Sequence, residues 1–214
     1  MHHFITATDT GAGKTYITRL LLEGLKRAGI TAVGYKPFCS GDRDDAAQLQ
    51  RASAPGFTLE EINPLYFKTP AAPLAASMIE GRPVDLDLVR QGYVALRQRA
   101  DIVLVEGVGG WEVPLTATAS IADFAKSLQL PILVIVNNRL GALNHTILTT
   151  DNIAARGLIC TGLVLNHVAD ERDPASISNR VILQTVRPNL AILADVMHEE
   201  SELDALDILK AGAK

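Results

Sequence analysis

One run constrains this chain more than any other: Phe4-Ile5-Thr6-Ala7-Thr8-Asp9-Thr10-Gly11-Ala12-Gly13-Lys14-Thr15, an apolar strand passing through a glycine-bearing loop into a helix. That order directs the backbone N–H groups of the turn and helix start toward one point. There Lys14 can reach the β and γ oxygens of a polyphosphate and the Thr15 hydroxyl can ligate Mg²⁺. The run reads as a phosphate-binding loop for a nucleoside triphosphate. The strict pattern G-x-x-x-x-G-K-[ST] would put glycine at Thr8, whereas the small residue here is Ala7, so the loop is a variant. The flanking helix carries the reading: Ile17, Leu20, Leu21 and Leu25 share one face, and Gly29 ends it.

A second strand is expected over Thr31–Tyr35, closed by Lys36-Pro37 because proline cannot continue a central ladder. Lys36, Cys39 and Ser40 then fall in a loop. In open α/β sheets ligands sit beyond the carboxyl ends of the strands, which puts Lys36 beside the phosphates; a solvated surface lysine is the alternative. Asp44 or Asp45 is expected to cap a short helix over Ala46–Ala52. The proline-rich stretch from Ala54 to Pro83 reads as a long excursion of unassigned structure. A helix follows over Leu86–Arg99, with Leu88, Val89, Tyr93 and Leu96 as its buried stripe.

Asp101–Glu106 is apolar without alternation, as in a parallel strand covered on both faces, and it places Glu106 at its carboxyl end. A carboxylate there commonly serves the metal or the attacking water, as the Walker B acid does in related folds. Gly107, Gly109 and Gly110 allow close backbone approach to a ligand, and Trp111 reads as a packed lid. A helix over Ile121–Leu128, a strand over Pro131–Val136 and a helix opening near Gly141 and ending near Gly157 come next. The free N–H groups of that last helix offer a second anion site, suited to a carboxylate, with Asn144 and His145 as contacts or Asn144 as a cap. A strand over Ile159–Leu165 leaves Asn166 where it could read a base edge. A helix over Ala175–Thr185, a strand over Ala191–Ala194 and a helical tail over Glu202–Lys210 complete an alternating β/α pattern with a predominantly parallel sheet.

Composition limits the partners. With 214 residues, 48% hydrophobic and 21% charged, the chain suits a single α/β domain over 1–214. A net charge of −4 without a basic run argues against nucleic acid. Two cysteines make no disulfide framework, and no apolar run reaches membrane-spanning length, so a reducing, cytoplasmic setting is expected without a membrane. His2 and His3 read as solvent-facing residues at the entrance of the first strand.

With these pieces in place, the chain resembles the dethiobiotin synthetases, ATP-dependent ureido-ring-forming enzymes of biotin synthesis. Four segments carry the resemblance, in order: Thr8-Asp9-Thr10-x-x-Gly13-Lys14-Thr15, Gly34-Tyr35-Lys36-Pro37-x-x-Ser40-Gly41, Val105-Glu106-Gly107-x-Gly109-Gly110-Trp111 and Leu140-Gly141-x-Leu143-Asn144-His145. The second and fourth are the more specific to that family. The resemblance implies a P-loop NTPase-like three-layer α/β/α fold and Mg²⁺ held by Thr15, Asp45 and Glu106. It implies catalysis by Lys14 and Lys36, and ATP held by Thr10, Gly11, Ala12, Gly13, Lys14, Thr15, Asp45, Glu106, Gly109, Asn166, His167, Met197 and His198. The substrates it implies are 7,8-diaminononanoate and CO₂, with Ser40, Gly141, Ala142, Leu143 and Asn144 contacting the diamine across a homodimer interface.

The chain also departs from that pattern. Ala7 and Gly11 stand where glycine and often an acidic residue are expected, the span from Gly41 to Asp45 is short, His167 replaces a common aspartate, and Met197-His198 replaces a proline. Two other classes compete. A partitioning or cell-division switch ATPase would carry a second lysine where Asp9 stands, and often an amphipathic membrane helix or a basic patch. A cofactor-acid amidotransferase would append a glutaminase domain, for which this length leaves no room.

Overall fold

In the computed structural model, which describes residues 2–170 and 173–211, six strands form one sheet in the order β2-β5-β1-β6-β7-β8. They are β1 (His3–Ala7), β2 (Ala32–Tyr35), β5 (Ile102–Glu106), β6 (Ile132–Asn137), β7 (Cys160–Asn166) and β8 (Ile192–Val196). Every registered pairing is parallel. All residues of β1, β2 and β5 are buried, which requires helices on both faces and explains the unbroken apolar runs in the sequence. One consequence matters for chemistry. The carboxyl ends of all six strands lie along one edge, so Ala7, Lys36, Glu106, Asn137 and Asn166 come to the same side of the sheet.

The helices are α1 (Lys14–Arg27), α2 (Asp44–Ala52), α3 (Leu59–Ile62), α4 (Pro73–Glu80), α5 (Leu86–Arg97), α6 (Ile121–Leu128), α7 (Ala142–Ala155), α8 (Pro174–Val186) and α9 (Ala205–Ala211). Ile17, Leu20, Leu21 and Leu25 of α1 are fully buried, as its periodicity predicts. Gly29 takes the left-handed φ of 74° expected just past a helix end.

Four local expectations are corrected. Phe38–Ser40 is not loop but a strand, β3, paired in parallel with β4 (Leu65–Phe67), and the proline-rich excursion supplies that partner together with α3 and α4. Asp44 and Asp45 do not cap α2: Arg43 holds the cap position and both acids lie in the first turn. An acid favours either place electrostatically, so the sequence could not separate them. Leu88 is exposed, and Val89, Tyr93 and Leu96 alone form the buried stripe of α5. His3 is buried rather than solvent-facing, and His2 turns inward to accept a hydrogen bond from Val103 N–H at 2.9 Å.

Candidate active site

The loop between β1 and α1 has the backbone its glycines allow. Gly11 and Gly13 lie at φ 72° and 85°, a region that residues with a Cβ rarely enter, and Gly13 serves as the helix cap without a side-chain partner. Among the described residues, no backbone N–H from Gly11 to Tyr16 donates a hydrogen bond. Helix starts ordinarily satisfy such donors with a cap or an anion. Here they stand ready for phosphate.

Four elements bring one charged cluster to this loop. Lys36, just past β2, donates from Nζ to Asp45 Oδ2 of α2 at 2.8 Å and to Glu106 Oε1 of β5 at 2.5 Å. Thr15 Oγ1, at the start of α1, donates to the same Glu106 oxygen at 2.6 Å. Lys14 Nζ donates to the carbonyl of Gly109, in the loop after β5, at 2.6 Å. Lys14, Lys36, Thr15 and Glu106 are buried, while the Asp45 side chain is about half exposed.

The two lysines differ in their surroundings. Burial and the neighbouring Lys36 charge bring Lys14 down to about 8. Burial also works against the charge of Lys36, but the facing Glu106 and Asp45 carboxylates outweigh it and hold the amine above the usual lysine range. Asp45 is in turn held below the usual carboxylate range: its burial opposes ionisation, and Lys36 together with the Thr15 hydroxyl prevails. Cys39, beside this cluster, is a neutral thiol pushed up to about 11 by burial.

Glu106 Oε2 is buried and has no hydrogen-bond partner. A buried carboxyl oxygen without a partner leaves a position that a cation or a donor would satisfy. Thr15 Oγ1, the Asp45 carboxylate and this oxygen are hard donors of the kind Mg²⁺ takes. Among the described residues no three His, Cys, Asp or Glu side chains cluster as a metal cage, so a metal here would complete its shell with phosphate oxygens and water.

The remaining sequence-predicted residues surround this centre. Asn166, at the end of β7, donates from Nδ2 to Ala12 O of the loop at 2.9 Å. His167 Nε2 lies 2.7 Å from Asp195 Oδ1. Met197 N–H donates to Glu200 Oε2 at 2.8 Å just past β8, and the Tyr16 hydroxyl of α1 donates to Glu200 O, which ties that segment to the loop helix. His198 lies beside Glu199. Thr10 N–H is taken by Asp9 Oδ1, and Asp9 faces Arg139 at 3.7 Å, linking the loop to the approach of α7.

Ser40 ends β3 with its hydroxyl buried and unpartnered. At α7, Gly141 holds the cap position at φ 91°, Ala142 is buried, Leu143 is half-buried, and Asn144 lies exposed inside the helix instead of capping it. Among the described residues, no hydrogen bond joins Ser40 or the Gly141–Asn144 segment to the lysine and carboxylate cluster.

Sequence reasoning missed the polar floor beneath a cleft of about 390 Å³ that Asn137, Arg139, His167 and Val168 help to line. Asn138 Nδ2 donates to Ser176 O at 3.0 Å, and Asn179 Nδ2 donates to Asn138 Oδ1 at 2.9 Å. These partners are about 40 residues apart, so no local pattern announces them. Trp111 is buried as a packing residue, and its Nε1 donates to Asn152 Oδ1 at 2.8 Å.

Comparison with known proteins agrees with this geometry. The model of the AAA domain family matches residues 2–200. The ATP-dependent dethiobiotin synthetase BioD of Akkermansia muciniphila is 40% identical over 210 residues, covering 98% of each chain. That of Anaeromyxobacter dehalogenans is 43% identical over 196 residues, covering 89% of this chain and 88% of its own. Among solved structures, the septum site-determining protein MinD of Pyrococcus horikoshii, complexed with Mg-ADP, aligns at TM-score 0.59 and 16% identity, covering 99% of this chain and 95% of that one. A ParA family ATPase from Chlorobium tepidum aligns at TM-score 0.57 and 12% identity, covering 100% and 93%. Those two likenesses concern the fold, a P-loop NTPase fold with a mostly parallel sheet. The full-length match at 40% identity, carried on a phosphate loop with two converging lysines, places this chain in the ATP-dependent dethiobiotin synthetase family.

Proposed function

We propose that this protein, acting as a single cytoplasmic domain, closes the ureido ring of dethiobiotin from 7,8-diaminononanoate, CO₂ and ATP, releasing ADP and phosphate. The observation that carries this reading is the convergence of Lys14, Lys36, Thr15, Asp45 and Glu106 beside unpartnered loop N–H groups. One amine of the diamine attacks CO₂ and loses a proton to give a carbamate. A carbamate oxygen then attacks the γ-phosphorus and ADP leaves. The second amine attacks the carbamate carbon, the bond from that carbon to the phosphorylated oxygen breaks, phosphate leaves with that oxygen, and the amine gives up a proton that the departing phosphate can take.

A carbamate oxygen is already nucleophilic, so the demand on the protein is to bring two anions together and hold charge on the transferring group. Lys14 and the loop N–H groups hold the β and γ phosphates. Lys36 leaves Glu106 to bind carbamate and γ-phosphate oxygens. Thr15, Asp45 and Glu106 would hold Mg²⁺, which when bound neutralises phosphate charge. Thr10 to Gly13, Gly109, Asn166, His167, Met197 and His198 complete the ATP site. Ser40, with its unpartnered hydroxyl, receives the diamine.

The N-terminus of α7, where Ala142 N–H donates to Arg139 O at 3.1 Å and Gly141, Leu143 and Asn144 keep their N–H groups for a ligand, takes the substrate carboxylate of a neighbouring subunit. Leu140, Leu148, Ile177 and Val181 expose apolar surface on and around α7 and α8, which supports a homodimer with these helices at its interface. Incubation with 7,8-diaminononanoate, bicarbonate, ATP and Mg²⁺ should yield dethiobiotin by mass spectrometry, with ADP release that stops when the diamine is omitted. ATP hydrolysis indifferent to the diamine, without product, would favour a switch ATPase.

A further inference from the structure

We infer that Asn166 is a positioning residue for the phosphate loop: its Nδ2 anchors Ala12 O, which aims the Gly13 N–H at the phosphates and leaves Oδ1 available to the base. The inference rests on the phosphate-loop reading above and adds a second role to a residue expected only to read a base edge. Asn166 is well placed for it. It ends β7 between Asn137 of β6 and Val196 of β8, and its own carbonyl accepts from Asn138 N–H at 2.9 Å. The residue is 2% exposed, so its side chain has little freedom.

From this fixed point Nδ2 reaches Ala12 O at 2.9 Å. The Ala12–Gly13 peptide is trans, like every other in the described chain. In a planar trans peptide the C=O and N–H point in opposite directions. Holding Ala12 O toward β7 therefore turns Gly13 N–H away from Asn166, and that donor has no partner among the described residues. Gly13 and Asn166 are also fitted sterically: a Cβ built on Gly13 would lie 2.1 Å from Asn166 Nδ2. Two glycines at positive φ give this loop many alternatives, and an anchored carbonyl removes them before the nucleotide arrives. Asn166 Oδ1 accepts no hydrogen bond among the described residues, so reading a base and holding the loop do not compete.

Inorganic tripolyphosphate separates the two roles because it has no base. Calorimetric titration of the wild type and Asn166→Ala with Mg-tripolyphosphate and with Mg-ATP is the test. The variant should bind tripolyphosphate roughly fivefold more weakly, the worth of one hydrogen bond, and ATP at least as much more weakly, at unchanged stoichiometry. If the alanine variant does not fold, Asn166→Leu keeps a similar volume, removes the donor without adding charge and should show the same losses. Weakened ATP binding with unchanged tripolyphosphate binding would leave Asn166 with the base alone and overturn the inference. Reduced stoichiometry at unchanged affinity would make its role merely structural and overturn it equally. A wild type that binds neither ligand would instead remove the phosphate-loop reading, and this inference with it.

Discussion

Lys14 and Lys36 carry the same group into opposite surroundings, a carbonyl for one and two carboxylates for the other. Removing Lys36 leaves Glu106 and Asp45 without their shared cation and, in the proposed mechanism, takes away the charge that meets the carbamate. Lys36→Ala should therefore lower turnover by roughly 100- to 1,000-fold while changing ATP affinity little, whereas Lys14→Ala should weaken both. Steady-state kinetics beside a nucleotide titration checks this, and near wild-type turnover in the Lys36 variant would remove that residue from the chemistry. Asp45→Asn should raise the Mg²⁺ concentration needed for half-maximal activity; an unchanged metal titration would confine Asp45 to helix α2. Lys14, Thr15, Lys36 and Glu106 were legible because each sits at a strand end or in a motif with its own chemistry. The release of Asp45 from capping was not, since it depends on Lys36 arriving from another strand.

At the scale of elements, helix α5 and strand β2 meet at a glycine. A Cβ on Gly92 would lie 2.5 Å from the Tyr35 hydroxyl, which donates to Val89 O at 2.6 Å within the same helix. Glycine in a helix interior ordinarily costs about 1 kcal/mol relative to alanine, so Gly92→Ala in an open helix would stabilise. Here overpacking should reverse the sign and destabilise by about 1–3 kcal/mol. In a Tyr35→Phe background the same substitution should cost clearly less, because the ring carbon Cζ at 3.2 Å is then the nearest atom. Denaturant unfolding of the four proteins in the cycle reads this coupling, and additive effects would contradict the contact.

Helices α1, α6 and α8 and the long apolar strands were readable from period and length. The pair β3 and β4 was not, because three-residue strands carry no periodicity and find one another only across the proline-rich excursion.

The whole molecule buries a group that its sequence gave no reason to bury. His3 opens the central strand at 1% exposure with both ring nitrogens unpartnered, because β5 and β6 flank β1 and helices cover the sheet. Burial lowers its imidazole from 6.5 to about 4. The unfolded chain takes up a proton near 6.5 and the folded one only near 4, so this contribution is full above 6.5 and is lost as the pH falls toward 4. His3 alone should cost about 2 kcal/mol of stability between pH 7.5 and pH 5. His3→Leu should flatten that slope in denaturant unfolding at the two pH values, and an unaltered slope would return His3 to solvent.

The all-parallel sheet also explains why the convergence of these residues could be read in advance: every strand delivers its last residue to one edge, so the order of strand ends in the sequence already groups them. What the sequence could not reveal, the Asn138, Ser176 and Asn179 floor and the Asn166 anchor, consists of contacts between elements far apart in the chain.

The central claim is that a carbamate oxygen receives the phosphoryl group. The direct measurement is turnover with freshly dissolved ¹⁸O-bicarbonate, unlabelled ATP and 7,8-diaminononanoate, followed by mass analysis of both products. One ¹⁸O in the released phosphate and one in the dethiobiotin carbonyl is the expected result. Phosphate free of the label, formed alongside dethiobiotin, would show that ATP is split by water and would contradict the mechanism.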